Sequence, residues 1–265
     1  MKFCSFASGS SGNCYYIGTD STGILIDAGI SVKSIRKNLK NIGVDLSQIH
    51  AVFLTHDHFD HIASVGTLGE VYHIPVFSTA EVLDGVNRCY KVTEKLYQCR
   101  REMPKGSTEK VAGLRITSFP VSHDSTDIVG YSITDGVTTV VIATDMGCIN
   151  DEAVPFLLKA DHLVLEANYD EERLLEGPYP LYLKKRILSD TGHLANHVAA
   201  EFLAVHAGET VWKHVYFCHM SKENNTPDLI LKQFDDKMRE YGVPAGFRPP
   251  CTVLPRTSAI ALVEC

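Results

Sequence analysis

The residues best placed to do chemistry stand together at Leu54-Thr55-His56-Asp57-His58-Phe59-Asp60-His61. Three imidazoles and two carboxylates fall within six residues, directly after the apolar run Ala51–Thr55. Imidazole nitrogen and carboxylate oxygen together suit zinc, manganese or iron, whereas a soft site would call on thiolates. Few purely structural needs ask for three histidines at this spacing, so the chemistry to expect is metal binding.

Two further segments carry polar groups in suggestive order. Ser189-Asp190-Thr191-Gly192-His193-Leu194-Ala195-Asn196 puts backbone N–H groups and the His193 imidazole at a helix start, a good place for an anion. The plainer role for His193 is to cap that helix. Near the start of the chain, Ser10, Ser11 and Asn13 offer hydroxyl, amide and backbone donors to a substrate phosphate, or else form a Gly/Ser hairpin turn between two strands. Lys184-Lys185-Arg186 falls on a predicted helix just ahead of the His193 turn, with Tyr169, Tyr179 and Tyr182 nearby. These could hold a nucleic-acid backbone and stack on bases, although a basic run is more often a solvated face.

These groups must be positioned by strands and helices that alternate along the chain. Gly23–Gly29, Ala51–Thr55, Leu114–Val121, His162–Glu166 and His214–Cys218 are short apolar runs that predict strands. Tyr131–Thr134 and Thr138–Thr144 flank Asp135-Gly136, a hairpin signal. Helices are predicted over Ser31–Ile42 with Ser31 as cap, Asp151–Lys159, Ala195–His206, and Thr226–Tyr241 with Thr226 as cap and Pro227 at the first position. Ser258–Val263 reads as a closing strand. The pattern is α/β or α+β.

The chain has 265 residues, 45% of them hydrophobic and 22% charged, enough apolar material for a sizeable core. No apolar run is long enough for a membrane span, and Met1–Phe6 lacks the apolar stretch of a signal peptide. The expectation is a cytoplasmic protein whose eight cysteines are reduced thiols. The net charge of −7 argues against a general electrostatic grip on nucleic acid, but not against an anion held locally by metal ions.

Thr55–His61 resembles the HxHxDH signature of the metallo-β-lactamase superfamily. Further segments match in order: Asp27 in Leu25–Gly29, His123 in Phe119–Asp124, Asp145 in Ile142–Gly147 and His219 in Tyr216–Ser221. The resemblance implies a four-layer αββα sandwich forming a single domain over 1–265, with two similar halves, about 1–126 and 127–265, meeting near Asp124–Gly130. It implies one metal ion on His56, His58 and His123, a second on Asp60, His61 and His219, and Asp145 bridging them, with Asp27 orienting the loop from behind. Two such ions, Mn or Zn, can hold a hydroxide nucleophile at neutral pH and suit phosphodiester hydrolysis.

Within the superfamily, Asp145 stands where zinc β-lactamases generally carry Cys. Glu166 and His193 resemble the paired glutamate and phosphate-contacting histidine of ribonuclease Z and the β-CASP nucleases, which implies that they protonate the leaving oxygen together. A strand-end Glu bonded to loop amides is the plainer role for Glu166. Catalysis is thus assigned to Asp60, Glu166 and His193. With Ser8–Tyr16, SDTGHLAN and His219–Asn225, the whole chain is similar to the YycJ/WalJ family of single-domain proteins linked to DNA 5′→3′ exonuclease activity. Ala195 and Met220 depart mildly from that pattern, where Ser and Leu are usual. Asn224 and Asn225 are expected to shape the loop after His219. DNA is the expected substrate. The alternatives are a small cyclic phosphodiester, favoured by the acidic balance, and a thioester or lactone. Oligomeric state is left open.

Overall fold

The computed structural model describes residues 1–265, which divide into two compact units. The first holds Met1–Pro120, Ser125–Thr138 and Pro255–Cys265. Its elements are β1 (Lys2–Ala7), β2 (Cys14–Gly18), β3 (Gly23–Ile26), α1 (Val32–Asn41), β4 (Ile49–Phe53), α2 (Phe59–Ile62), β5 (Val76–Ser78), α3 (Ala80–Arg88), β6 (Arg100–Glu102), β7 (Thr108–Val111), β8 (Leu114–Pro120) and β9 (Val129–Thr134). Strands β1, β2 and β3 run antiparallel, and β3 to β6 run parallel. β7, β8 and β9 form an antiparallel meander.

The second unit holds Val121–Asp124 and Thr139–Leu254. It comprises β10 (Thr139–Ala143), α4 (Val154–Leu158), β11 (His162–Glu166), α5 (Glu171–Glu176), α6 (Leu181–Ile187), α7 (Asn196–His206), β12 (His214–Cys218), α8 (Pro227–Glu240) and β13 (Cys251–Val253). The four strands are parallel in that order. β11 is buried along its whole length, as parallel strands covered on both faces are.

Helix ends follow their sequence signals. Ser31 caps α1 by accepting from Ser34 N–H, and Thr226 caps α8 by accepting from Leu229 N–H ahead of Pro227. α7 buries Asn196, Ala199, Ala200, Leu203 and Ala204, the expected stripe at helical spacing. None of the eight cysteines is in a disulfide. No helix is long and apolar enough to cross a membrane.

Two elements differ from expectation. α4 is confined to Val154–Leu158, because Asp151–Ala153 forms turns. The closing strand β14 covers only Val263–Glu264, paired antiparallel with β1 through Phe3↔Val263 and Lys2↔Glu264. The apolar run before it is explained by packing. Ile260 and Leu262 lie against the core of the first unit, and Ile260 N–H donates to Ser5 O without building a ladder.

Candidate metal centre

In the first unit, β4 delivers the histidine segment. His56 and His61 are fully buried and His58 and Asp60 half-buried. His58 has extended backbone and starts α2, so His56 and His58 lie on extended chain while Asp60 and His61 sit on the first helical turn. The His56 ring centroid lies 4.1 Å from that of His61 and 4.8 Å from that of His58.

Asp27, fully buried just past β3, organises this loop. Its Oδ1 accepts Thr55 N–H at 2.8 Å, and its Oδ2 accepts His61 Nδ1–H at 2.7 Å and the Thr55 hydroxyl at 2.9 Å. With its proton given to Asp27, Thr55 Oγ1 can accept from His56 Nδ1 at 3.0 Å. Both imidazoles are thereby held by Nδ1, so a cation would bind at Nε2, on His61 in place of the hydrogen bond that Nε2 accepts from Asn13 Nδ2.

Asn13 is a strut whose role the sequence did not reveal. Its Nδ2 donates to His61 Nε2 at 2.8 Å and lies 3.3 Å from Asp60 Oδ2, while its backbone N–H donates to Asp60 O. Ser10 and Ser11, in the same turn, are exposed. Asp57 turns away from the other acidic and imidazole groups and accepts from Thr126 N–H and its hydroxyl.

Gly29 lets these segments meet. A Cβ there would come 1.5 Å from Asp60 O and 2.8 Å from Asn13 N, both backbone atoms that cannot swing aside. Gly29→Ala is therefore expected to cost about 1–3 kcal/mol of stability. The check is denaturant unfolding, with a Gly43→Ala comparison inappropriate because Gly43 has φ 75°; Gly208→Ala, which meets nothing within 4 Å, is the control.

The second unit contributes its own cluster. Asp145 follows β10, Glu166 ends β11 and His219 follows β12. His219 Nδ1 lies 3.2 Å from Asp145 Oδ1 and 3.1 Å from Glu166 Oε1. His123 donates from Nδ1 to Gly192 O at 2.7 Å. His193 does not cap α7, whose cap residue is Ala195. Instead its Nδ1 donates to Glu166 Oε1 at 2.8 Å. Gly192 permits this turn by pressing against the end of α6, where a Cβ would lie 2.2 Å from Ile187 O.

Glu166 is fully buried, and its Oε2 accepts Met146 N–H at 2.6 Å and Leu194 N–H at 3.3 Å. Burial opposes its ionisation. The positive charge and hydrogen bond of His193, with the hydrogen bond of His219, outweigh burial and hold the carboxyl below the usual glutamate range. Asn225 fixes the adjoining strand exit by donating to Ala167 O and Asn168 O.

Asp27, Asp145 and His219 all have left-handed backbone, with φ of 60°, 53° and 51°. Such conformations are uncommon outside glycine and collect at functional sites. Donor chemistry fits a divalent cation in both units. The groups are imidazole nitrogen and carboxylate oxygen without thiolate. In the second unit one ligand atom each from Asp145, Glu166, His193 and His219 lies within 4.8 Å of the others.

Comparison with known proteins agrees with this chemistry. Residues 22–220 match the model of the beta-lactamase superfamily domain. The chain is 31% identical to exodeoxyribonuclease YycJ of Bacillus anthracis, over 93% of this chain and 92% of that one. It is 34% identical to exodeoxyribonuclease WalJ of Streptococcus pneumoniae, over 93% and 91%. The chain belongs to the YycJ/WalJ family of the metallo-β-lactamase superfamily. As a YycJ/WalJ member it is a metal-dependent hydrolase. Among solved structures it resembles the metallo-β-lactamase fold protein YhfI of Bacillus subtilis, with a TM-score of 0.70 at 19% identity, covering 98% of each chain. The expected α/β fold class, the αββα sandwich of this superfamily, is borne out.

Proposed function

We propose that this YycJ/WalJ member is a phosphodiesterase acting on DNA as a 5′→3′ exonuclease, with two divalent metal ions. The ligands are those implied by sequence resemblance: His56, His58 and His123 for one ion, Asp60, His61 and His219 for the other, and Asp145 for both. When bound, such ions activate water and neutralise charge on the phosphoryl oxygens.

The observation that carries the phosphodiesterase reading is the hydrogen bond of the partly exposed His193 to the buried Glu166. Glu166 accepts from Nδ1 of His193 and fixes the orientation of the ring, so that Nε2 is the nitrogen placed to hand a proton to a leaving oxygen. A thioester gives a leaving thiolate that needs no such acid. Asp27 and Thr55 orient His61 and His56, and Asp60 acts through the second ion. The relatives' names support DNA as substrate. So does α6, where Tyr182 and Lys185 are exposed just before the His193 turn.

The test is turnover with Mn²⁺ or Zn²⁺ on 5′-phosphorylated duplex DNA, single-stranded DNA, RNA, bis-p-nitrophenyl phosphate and a thioester. Mononucleotides released in order from the 5′ end are expected. Turnover of the small diester alone would favour a small-molecule phosphodiesterase, to which the net charge of −7 also points. Turnover of the thioester alone would remove the phosphodiesterase reading.

A further inference from the structure

A pocket of about 470 Å³ lies in the first unit between α1 and the segment 256–259, with the Ser11-Gly12 turn at its edge. Its charged lining groups are Arg256 and Lys37, and no carboxylate lines it. That is the reverse of the whole chain, in which 32 acidic residues outnumber 25 Lys and Arg. Every guanidinium or ammonium in an ion pair of this protein belongs to another residue.

Arg256 carries a further sign. Its Nε is buried with no hydrogen-bond partner. A buried guanidinium nitrogen left unsatisfied is costly, and an oxyanion would repay the cost. The side chain is held in place by close packing on Gly9, where a Cβ would meet Nε at 3.2 Å and Cγ at 3.3 Å. Gly9 N–H in turn donates to Asn13 Oδ1, and Asn13 Nδ2 donates to His61 Nε2. One turn therefore faces two ways. Asn13 serves the histidine loop, and Ser11 faces the pocket with Arg256.

We propose that this pocket binds a phosphate group of the substrate strand, with Arg256 and Lys37 as its charged contacts. The proposal rests on the phosphodiesterase reading and adds a subsite to it. Arg256 supplies a planar fork matched to phosphate oxygens, and Lys37 supplies a point charge. Ser11, Ser34 and Asn38 bring hydroxyl and amide groups to the same wall. The pocket is of a size that holds a small ligand, so it can take a phosphate together with part of its nucleoside. Two sources share this chemistry: the terminal phosphate of the strand and an internal diester of its backbone.

The test compares Arg256→Gln and Lys37→Gln with the charge-matched control Lys159→Gln, at an exposed position after α4. The readout is the ratio of kcat/KM for an oligonucleotide to that for bis-p-nitrophenyl phosphate. Arg256→Gln is expected to lower this ratio about tenfold or more, the scale of a lost charge-assisted hydrogen bond. Lys37→Gln should lower it less, and Lys159→Gln should leave it unchanged. A loss confined to 5′-phosphorylated strands identifies the terminal phosphate, and an equal loss on 5′-hydroxyl strands identifies the backbone. An unchanged ratio in both pocket variants overturns the proposal.

A second readout does not depend on turnover. Thymidine 5′-monophosphate and inorganic phosphate are titrated onto the ¹⁵N-labelled protein, following the side-chain Nε–H resonance that disappears in Arg256→Gln. A saturable shift is expected, and no shift would overturn the pocket. Should the protein cleave no nucleic acid at all, the functional reading falls, while this titration still decides whether the pocket binds phosphate.

Discussion

Replacing His193 with alanine is expected to lower kcat on a phosphodiester about 10²- to 10⁴-fold, the usual worth of a positioned general acid. Bound metal and melting temperature should stay near those of the parent protein. The ring is partly exposed, with 13% of its side-chain surface accessible, and its hydrogen bond runs to Glu166. Removing it leaves a gap that water can enter. Added imidazole should restore part of the turnover. Glu166→Gln should lower kcat too, but by a different route. Its two oxygens accept from four donors: Met146 N–H, Leu194 N–H, and the Nδ1 groups of His193 and His219. Glutamine keeps the volume but turns an NH₂ group toward one set of those donors. It should therefore also lose about 1–3 kcal/mol of stability, as a buried polar group loses its partner. Quenched-flow turnover, metal content by mass spectrometry and denaturant unfolding separate these effects. A His193→Ala protein with normal metal and full turnover would sink the acid role.

Much of this arrangement was legible in the sequence because it depends on local order. A β-branched or apolar run followed by a polar residue marks a strand end, and Asp145 and His219 follow one closely, while His56 to His61 follow β4 through a short loop into α2. The Ser31 and Thr226 caps act within three residues, so the helices they begin were readable to within a residue. What was hidden depends on distant segments meeting. Asn13 reads as a donor to a substrate phosphate or as a turn residue, and only the fold sets its amide against His61, across 48 positions. Arg256 reads as one basic residue near the end of the chain, and its unsatisfied Nε exists only after packing on Gly9. The run before β14 misled for a related reason. Apolar residues signal burial, but they do not say whether burial comes with a ladder, and Ile260 is packed with a single backbone bond. Asp57 shows the limit inside the motif itself. Its carboxylate type equals that of Asp60, yet it ties down the loop at Thr126.

The same dependence on distant contacts makes Asp27 the position where one atom should matter most. Asp27→Asn is expected to weaken metal binding about 10- to 100-fold, the usual cost of losing a group that orients a ligand. As a carboxylate, Asp27 can accept on both oxygens, and it receives three donors: Thr55 N–H, the Thr55 hydroxyl and His61 Nδ1–H. Asparagine can still accept from Thr55 N–H through its one oxygen. Its NH₂ group then faces His61 Nδ1, which must become the acceptor. That moves the imidazole proton to Nε2, the nitrogen proposed to bind metal, and the Thr55 hydroxyl loses the shorter of its two bonds to residue 27, keeping only the 3.1 Å contact to Oδ1. Asp27→Ala removes the acceptor altogether. It should cost about 3–5 kcal/mol of stability, the scale for leaving a buried hydrogen-bonded charge network without one member. The backbone adds to this, because asparagine tolerates the φ of 60° at this position and alanine pays for it. The two variants thus separate orientation from folding. Asn should keep most of the stability and lose metal affinity, measured by competition with a chromogenic chelator, whereas Ala should lose both. Wild-type affinity in Asp27→Asn would mean that His61 does not bind metal through Nε2, and the ligand assignment in the first unit would have to be redrawn.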